Sequence, residues 1–172
     1  MNNPILSIIV PVYNLQDYIT GCLDSIYDQQ ADEAQFEVIA VDDGSLDDSL
    51  SILQQYATQH NNLRVLHQQN GGVSRARNYA ISVSMGRYLT FVDGDDTLYL
   101  GSLNSVLAAI QNTTKFDVIY CRTYWEMSDG TEQECKVWTN HFRTDTTYTG
   151  TQLLDKAYTH GSVVWGGYIQ RT

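Results

Sequence analysis

The sequence predicts an α/β protein with a mostly parallel sheet, helices on both faces, and a less regular C-terminal part. Three observations predict it. Strand-like and helix-like segments alternate through the first half. The strand-like segments read as nearly continuous apolar runs, the mark of strands covered on both faces. Each run then ends in a polar or glycine-containing loop, where the chain turns towards a helix.

Leu6-Ser7-Ile8-Ile9-Val10-Pro11-Val12 is the first such run, and Leu15, Ile19, Cys22, Leu23 and Ile26 follow at helical spacing. Phe36-Glu37-Val38-Ile39-Ala40-Val41 is the second, ended by Asp42-Asp43-Gly44-Ser45. Ser45 with Asp48 three residues later resembles a helix cap, and Leu50, Leu53 and Tyr56 continue a helical period. A third strand is expected over 63–67. Residues 72–85 read as a helix stopped by Gly86 in a left-handed cap. Tyr88-Leu89-Thr90-Phe91-Val92 is the fourth strand, Leu100, Leu103, Val106, Leu107 and Ile110 mark a helix, and 118–124 reads as a strand. Beyond Trp125 a turn at Ser128-Asp129-Gly130 separates Thr-, Tyr- and Trp-containing stretches that suggest antiparallel strands and loops. No repeat, low-complexity tract or linker divides the 172 residues, so 1–172 reads as one domain.

Composition narrows the function. A hydrophobic fraction of 42% with 17% charged residues is that of an ordinary globular chain. The formal net charge of -10 argues against nucleic acid or an anionic membrane as partner. No apolar run is long enough to span a bilayer, and the Met-Asn-Asn-Pro start lacks the basic residues of a signal peptide. A cytoplasmic location is expected. Cys22, Cys121 and Cys135 are widely spaced and odd in number, so reduced thiols are expected.

In an open parallel sheet, ligands bind beyond the carboxyl ends of the strands. Four loops fall there: Pro11-Val12-Tyr13-Asn14, Asp42-Asp43-Gly44-Ser45, Asn70-Gly71-Gly72 with Arg75 and Arg77, and Asp93-Gly94-Asp95-Asp96. Asp93 and Asp95 flank a glycine after an apolar strand, so both carboxylates can converge on one point. Hard oxygen donors of this kind suit Mg²⁺ or Mn²⁺, with ligand phosphates completing the shell. The same residues also read as a solvated acidic turn in which Asp96 caps the next helix. Asp42 and Asp43 can accept hydrogen bonds from a base or ribose, or simply form a turn. Tyr13 can stack on a nucleobase or pack. Arg75 and Arg77, near a helix start, favour phosphate.

The strings Ser7-Ile8-Ile9-Val10-Pro11-Val12-Tyr13-Asn14, Val41-Asp42-Asp43-Gly44-Ser45, Asn70-Gly71-Gly72-Val73-Ser74-Arg75-Ala76-Arg77-Asn78 and Tyr88-Leu89-Thr90-Phe91-Val92-Asp93-Gly94-Asp95-Asp96 together resemble family 2 glycosyltransferases of the GT-A fold. Their order and spacing match over roughly residues 5–100. Val164-Trp165-Gly166-Gly167-Tyr168-Ile169-Gln170-Arg171 looks like the family's late Trp-containing segment.

The resemblance implies a GT-A, Rossmann-like sheet in which 1–100 is the nucleotide-sugar-binding half and 101–172 the start of an incomplete acceptor half. It implies that Pro11 and Tyr13 border the nucleobase and Asp43 pairs with it. Asn70, Gly72, Arg75 and Gly94 would line the nucleotide cleft, Asp93 would approach ribose and metal, and Asp95 would ligate the Mg²⁺ or Mn²⁺. The donor would be a nucleotide sugar, often a UDP-sugar. The acceptor would be a glycan or lipid-linked glycan of a bacterial surface polysaccharide, and transfer would invert the anomeric centre.

The family's catalytic base is expected beyond Thr172. Glu126, Asp129, Glu132, Glu134 and Asp155 are available acids, but no motif nominates one. Two other readings stand beside this one. The chain could bind a nucleotide sugar without turnover. Alternatively, Asp93-Gly94-Asp95-Asp96-Thr97 fits the Asp-x-Asp-x-Thr of haloacid-dehalogenase phosphatases, with Asp93 as nucleophile. No dinucleotide glycine fingerprint follows the first strand.

Overall fold

The structure, a computed structural model, describes residues 3–111, 118–120, 124–127, 129–134 and 167–170. The chain forms two compact units, Met1–Ile119 with Tyr168–Thr172, and Tyr120–Gly167.

In the first unit β1 (Leu6–Val12) and β2 (Phe36–Asp42) are buried at every position, as their uninterrupted apolar runs require. α1 (Ile19–Tyr27) follows β1, and α2 (Ser49–Ala57) leads from β2 to β3 (Leu63–His67). α3 (Val73–Val83) then crosses to β4 (Tyr88–Phe91), and α4 (Ser102–Gln111) precedes β5 (Val118–Tyr120). Parallel pairs join β1 to β2, β2 to β3, and β1 to β4, with Val12 opposite Asp42, Asp42 opposite His67, and Ile9 opposite Phe91. The late strand β8 (Gly167–Gln170) lies antiparallel to β4, giving the sheet order β3-β2-β1-β4-β8-β5. In the second unit β6 (Tyr124–Glu126) and β7 (Glu132–Glu134) form an antiparallel hairpin.

Side-chain alternation divides the core. Ile9, Ile39, Val41 and Leu89 face Ala76 and Ala80, which lets α3 lie close on that side. Right-handed crossovers put α1 and α2, which touch each other, on the opposite face over Ile8, Val10, Val38 and Ala40. The chain therefore steps outward from β1 through β2 to β3 and returns to β4. Its reversal point lies between β1 and β4, which is where such sheets leave a crevice at the carboxyl edge.

At the opposite edge the buried Glu37 carboxylate accepts hydrogen bonds from the Ser7 hydroxyl and the Met85 and Gly86 amides. Arg64 supplies a charged partner at 3.3 Å. This fixes the corner between α3 and β4 and corrects one expectation. Gly86 is not in the left-handed region; a Cβ there would meet the Ser7 backbone nitrogen at 2.5 Å, so close packing on β1 demands glycine. α3 ends instead at Ser84, whose backbone is extended.

Other local expectations change for similar reasons. α2 begins at Ser49, and its first amide is accepted by Asp47 at 3.0 Å, not by Ser45. Asp96 lies six residues before α4 and does not cap it, while Leu100 is exposed ahead of the helix. The strand expected over 118–124 is two short strands, with 121–123 outside the described residues. The antiparallel hairpin does form about the expected turn, where the Gly130 amide donates to the Met127 carbonyl at 2.8 Å.

Candidate functional site

Val12, Asp42, His67 and Phe91 end four parallel strands at one edge of the sheet, so all four loops singled out in the sequence converge there. With parallel strands about 4.8 Å apart, the β2 and β4 loops stand roughly 10 Å from each other across the end of β1.

The loops after β1 and β2 are locked together. Asn14, held at a φ of 53°, donates its backbone N–H to the Ser45 hydroxyl and accepts the Leu46 N–H on its side chain. The Leu15 amide donates to Ser49, and the Gln16 amide donates to Asp47. Asparagine tolerates the left-handed backbone better than most residues, so the tight exit from β1 is locally encoded. Tyr13 projects from this loop with 45% of its surface exposed.

Asp43 is buried at 3% exposure, and both its oxygens are engaged. Oδ1 accepts Gln68 Nε2 at 2.6 Å and the Gly71 amide at 2.9 Å; Oδ2 accepts the Gly72 amide at 2.8 Å. Burial opposes the charge, but these three donors and the Arg75 guanidinium prevail and hold the carboxyl below the usual range. Asp43 thus shapes the Asn70-Gly71-Gly72 loop. Gly44, at a φ of 76°, permits the closeness: a Cβ would meet the Asn70 nitrogen at 2.8 Å. Asp42, fully buried, accepts His67 Nδ1 at 2.7 Å.

Gly72 caps α3 without a side-chain acceptor, and Arg75 lies exposed in the first turn with its stem against Gly71. Arg77, two residues further along α3, is committed elsewhere. Its guanidinium donates to Asp93 Oδ1 at 2.6 Å and sits 5.5 Å over the Phe91 ring. Sequence reading placed Arg77 only near phosphate; its pairing with Asp93 is a long-range fact with no local signature.

The acidic turn presses onto β1 and α1. Gly94 is buried, and a Cβ there would meet Leu15 Cδ1 at 2.8 Å and the Pro11 carbonyl at 3.3 Å. The Cys22 thiol donates to the Asp93 carbonyl at 3.6 Å. Burial, together with the charges of Asp96, Asp95 and Asp93, pushes that thiol up to about 12, so it stays a protonated structural donor. Asp95 and Asp96 are exposed. Partial burial, then the charges of Asp95 and Asp93, raise the Asp96 carboxyl above its ordinary value, which registers negative charge concentrated at this turn. Among the described residues no three His, Cys, Asp or Glu side chains form a self-sufficient metal cage. The donors are all oxygens, with Asp95 exposed and Asp93 half-buried against Arg77, which fits a hard cation that takes its remaining ligands from phosphate.

Glu126, Asp129, Glu132 and Glu134 lie on or beside the hairpin of the second unit, and Asp129 is occupied by the Thr131 amide and hydroxyl. Asp155, Cys121, Cys135, Trp165 and the rest of the Trp-containing segment before Gly167 are outside the described residues.

A mostly parallel α/β sheet with an acidic, glycine-bearing turn at its reversal point places the chain in the doubly wound class, whose members bind ligands beyond the carboxyl ends of the strands. Residues 7–167 match the model of glycosyl transferase family 2, and the chain belongs to that family. It is 34% identical over 171 residues to the uncharacterized glycosyltransferase YibD of Escherichia coli, covering 96% of this chain and 48% of that protein. It is 44% identical over 99 residues to the poly(ribitol-phosphate) beta-glucosyltransferase of Bacillus spizizenii, covering 56% and 15% respectively. Among solved structures, TarS 1-349 of S. aureus in complex with UDP-GlcNAc aligns with a TM-score of 0.62 and 37% identity. That alignment covers 67% of this chain and 33% of TarS 1-349. The chain thus spans about half or less of the relatives it matches. The GT-A fold expectation holds, and the family assignment displaces the phosphatase reading of Asp93.

Proposed function

We propose that this chain holds a nucleoside-diphosphate sugar at the carboxyl edge of β1, β2 and β4, and that the protein transfers the sugar, with inversion, to an acceptor hydroxyl. The observation that carries this is the acidic turn at the β1/β4 reversal point, in contact with the end of β1 and facing the loops after β2 and β3.

In this reading Pro11 and the exposed Tyr13 border the nucleobase, and Asp43 with Asn70 and Gly72 shapes the wall beside it. Arg75 and the N-terminal end of α3 attract the diphosphate. Arg77 turns Asp93 towards the ribose and cation, and Asp95 offers its exposed carboxylate to Mg²⁺ or Mn²⁺. When bound, the cation would neutralise charge growing on the departing diphosphate. The rigid, mutually bonded loops keep donor and acceptor aligned. A base in the acceptor half takes the hydroxyl proton, an effect typically worth about 10²–10⁴ in rate. A UDP-sugar donor is supported by the UDP-GlcNAc complex of TarS 1-349. The acceptor in this reading is a glycan or lipid-linked glycan of a bacterial surface polymer. Catalysis on the inner side of the membrane completes the proposal.

Calorimetry with UDP, GDP and TDP, with and without Mn²⁺, is the test. Cation-dependent binding of at least one nucleotide is expected, and Asp95→Ala should abolish it. Failure of all three to bind in the presence of Mn²⁺ refutes the site.

A further inference from the structure

Three side chains at helical spacing near the end of α1, Cys22, Ser25 and Gln29, all bond to the chain that follows β4. The Cys22 thiol reaches the Asp93 carbonyl, and the Ser25 hydroxyl accepts the Leu98 amide at 2.9 Å. Gln29, only 4% exposed, does more. Its Nε2 donates to the Tyr99 carbonyl at 3.1 Å and to the Ser25 carbonyl at 2.8 Å, while its Oε1 accepts the Gly101 amide at 2.6 Å. Its own backbone carbonyl accepts Asn104 Nδ2 at 2.6 Å.

A buried amide with its donors and acceptor all engaged fixes the backbone it grips, because releasing either end strands a polar group. Residues 99 and 101 are therefore pinned together, with Gly101 supplying a φ of 83°. Asp95 and Asp96 stand between this grip and the Asp93 contacts with Arg77 and Cys22. Among the described residues no side-chain bond holds Asp95 itself. Its direction must come from the backbone on either side.

We propose that Gln29 is a positioning residue for the acidic turn: by clamping Tyr99 and Gly101 it sets where the Asp95 carboxylate points, and so the geometry in which a divalent cation and a diphosphate meet. This rests on the reading of the acidic turn given above. A glutamine that merely satisfied the end of α1 would affect stability without discriminating between cation-dependent and cation-independent binding.

The test compares Gln29→Leu, which keeps volume and loses every side-chain bond, with Gln29→Glu, which keeps only the acceptor for Gly101. Amide hydrogen exchange at Leu98 and Gly101 reads the clamp; calorimetry with UDP in Mn²⁺ and in EDTA reads its consequence. In Gln29→Leu both amides should exchange faster. UDP affinity in Mn²⁺ should fall about tenfold or more, as for other groups that orient metal ligands, and stay within about twofold in EDTA. Gln29→Glu should fall between. Unchanged exchange, faster exchange with unchanged Mn²⁺-dependent binding, or equal loss with and without Mn²⁺ each overturns the proposal. Should Gln29→Leu fail to fold, Ser25→Ala must show the same cation-specific loss in smaller degree, and unaltered binding there overturns it. A wild-type chain that binds no nucleoside diphosphate in Mn²⁺ refutes the functional reading before any variant is made, and this inference falls with it.

Discussion

Replacing Asp43 with asparagine takes one oxygen from a side chain that uses both. With the amide oxygen in the Oδ1 position, the bonds from Gln68 and Gly71 survive, and the new NH₂ faces the Gly72 N–H. Flipped, it keeps Gly72 and opposes two donors instead. The better arrangement loses one charge-assisted bond and weakens two others. Hydrogen bonds to charged groups contribute about 1.5–3 kcal/mol, and Gly72 lies where water can partly compensate, so a loss of about 2–3 kcal/mol is expected. Urea unfolding followed by circular dichroism measures it. The pH dependence checks the cause. Because the folded-state pKa of Asp43 is depressed, its stabilisation is present above the unfolded value near 4 and is lost as pH falls through the folded value. The gap between wild type and Asp43→Asn should be full at pH 7 and shrink once pH drops below about 4. A difference under about 0.5 kcal/mol at pH 7 would refute the reasoning, since that is the scatter of inert surface changes. A gap that persists undiminished into strong acid would refute it too.

Gly86→Ala should destabilise by about 3 kcal/mol or more, because the new methyl meets the backbone of Leu6 and Ser7 and cannot be relieved by a side-chain rotation; thermal unfolding shows it. Gly94→Ala should cost less, about 1–3 kcal/mol, since Leu15 Cδ1 can shift, but it should also weaken nucleotide binding by pushing the acidic turn off β1. Asp95→Ala, at an exposed position, should change stability by no more than about 0.5 kcal/mol while removing cation-dependent binding in calorimetry. Arg77→Met should cost about 1–3 kcal/mol in urea unfolding, between exposed and buried ion pairs, because Arg77 is more enclosed than Asp93.

The fold was legible because its strongest signals are local. β1 and β2 are apolar at nearly every position, β3 occupies the expected 63–67, and the α3 segment carries small residues where the sheet needs them. The gathering of four loops at one edge then follows from parallel topology. What could not be read depends on partners far away in sequence. Ser45 has the composition of a cap, yet its hydroxyl is taken by Asn14, 31 residues earlier. Gly86 looks like a helix stop, but its lack of a side chain answers to Ser7, 79 residues away. Arg77 looks like a phosphate ligand until β4 brings Asp93 to it. In each case residue type was informative and the pairing was not, because turn and cap residues have several local uses and tertiary contacts choose between them.

Pairing also bears on how a chain of net charge -10 would hold the polyanion proposed for it. Acids near the cleft fall into two groups. Asp42, Asp43, Asp47 and Asp93 each accept donors from within the protein, so their charge serves to fix loops. Asp95 and Asp96 are on the exposed part of the turn, and the Asp96 carboxyl is raised first by its partial burial and then by the charges of Asp95 and Asp93. Bare, that turn would repel a diphosphate; in the proposed reading a cation across it makes the same carboxylates the anchor. The cations of α3 follow a parallel division. Arg77 neutralises Asp93, whereas Arg75 lies exposed at the start of α3, beside the helix end that favours phosphate. In the proposed reading the attraction for a nucleotide is local and conditional. There it depends on a divalent ion at Asp95 and on Arg75, and the protein's overall field opposes it. Raising ionic strength at fixed Mn²⁺ should accordingly weaken nucleotide binding far less than it does for a basic protein whose affinity comes from long-range attraction. A steep loss of affinity with salt would show that the field does more of the binding than this pairing allows.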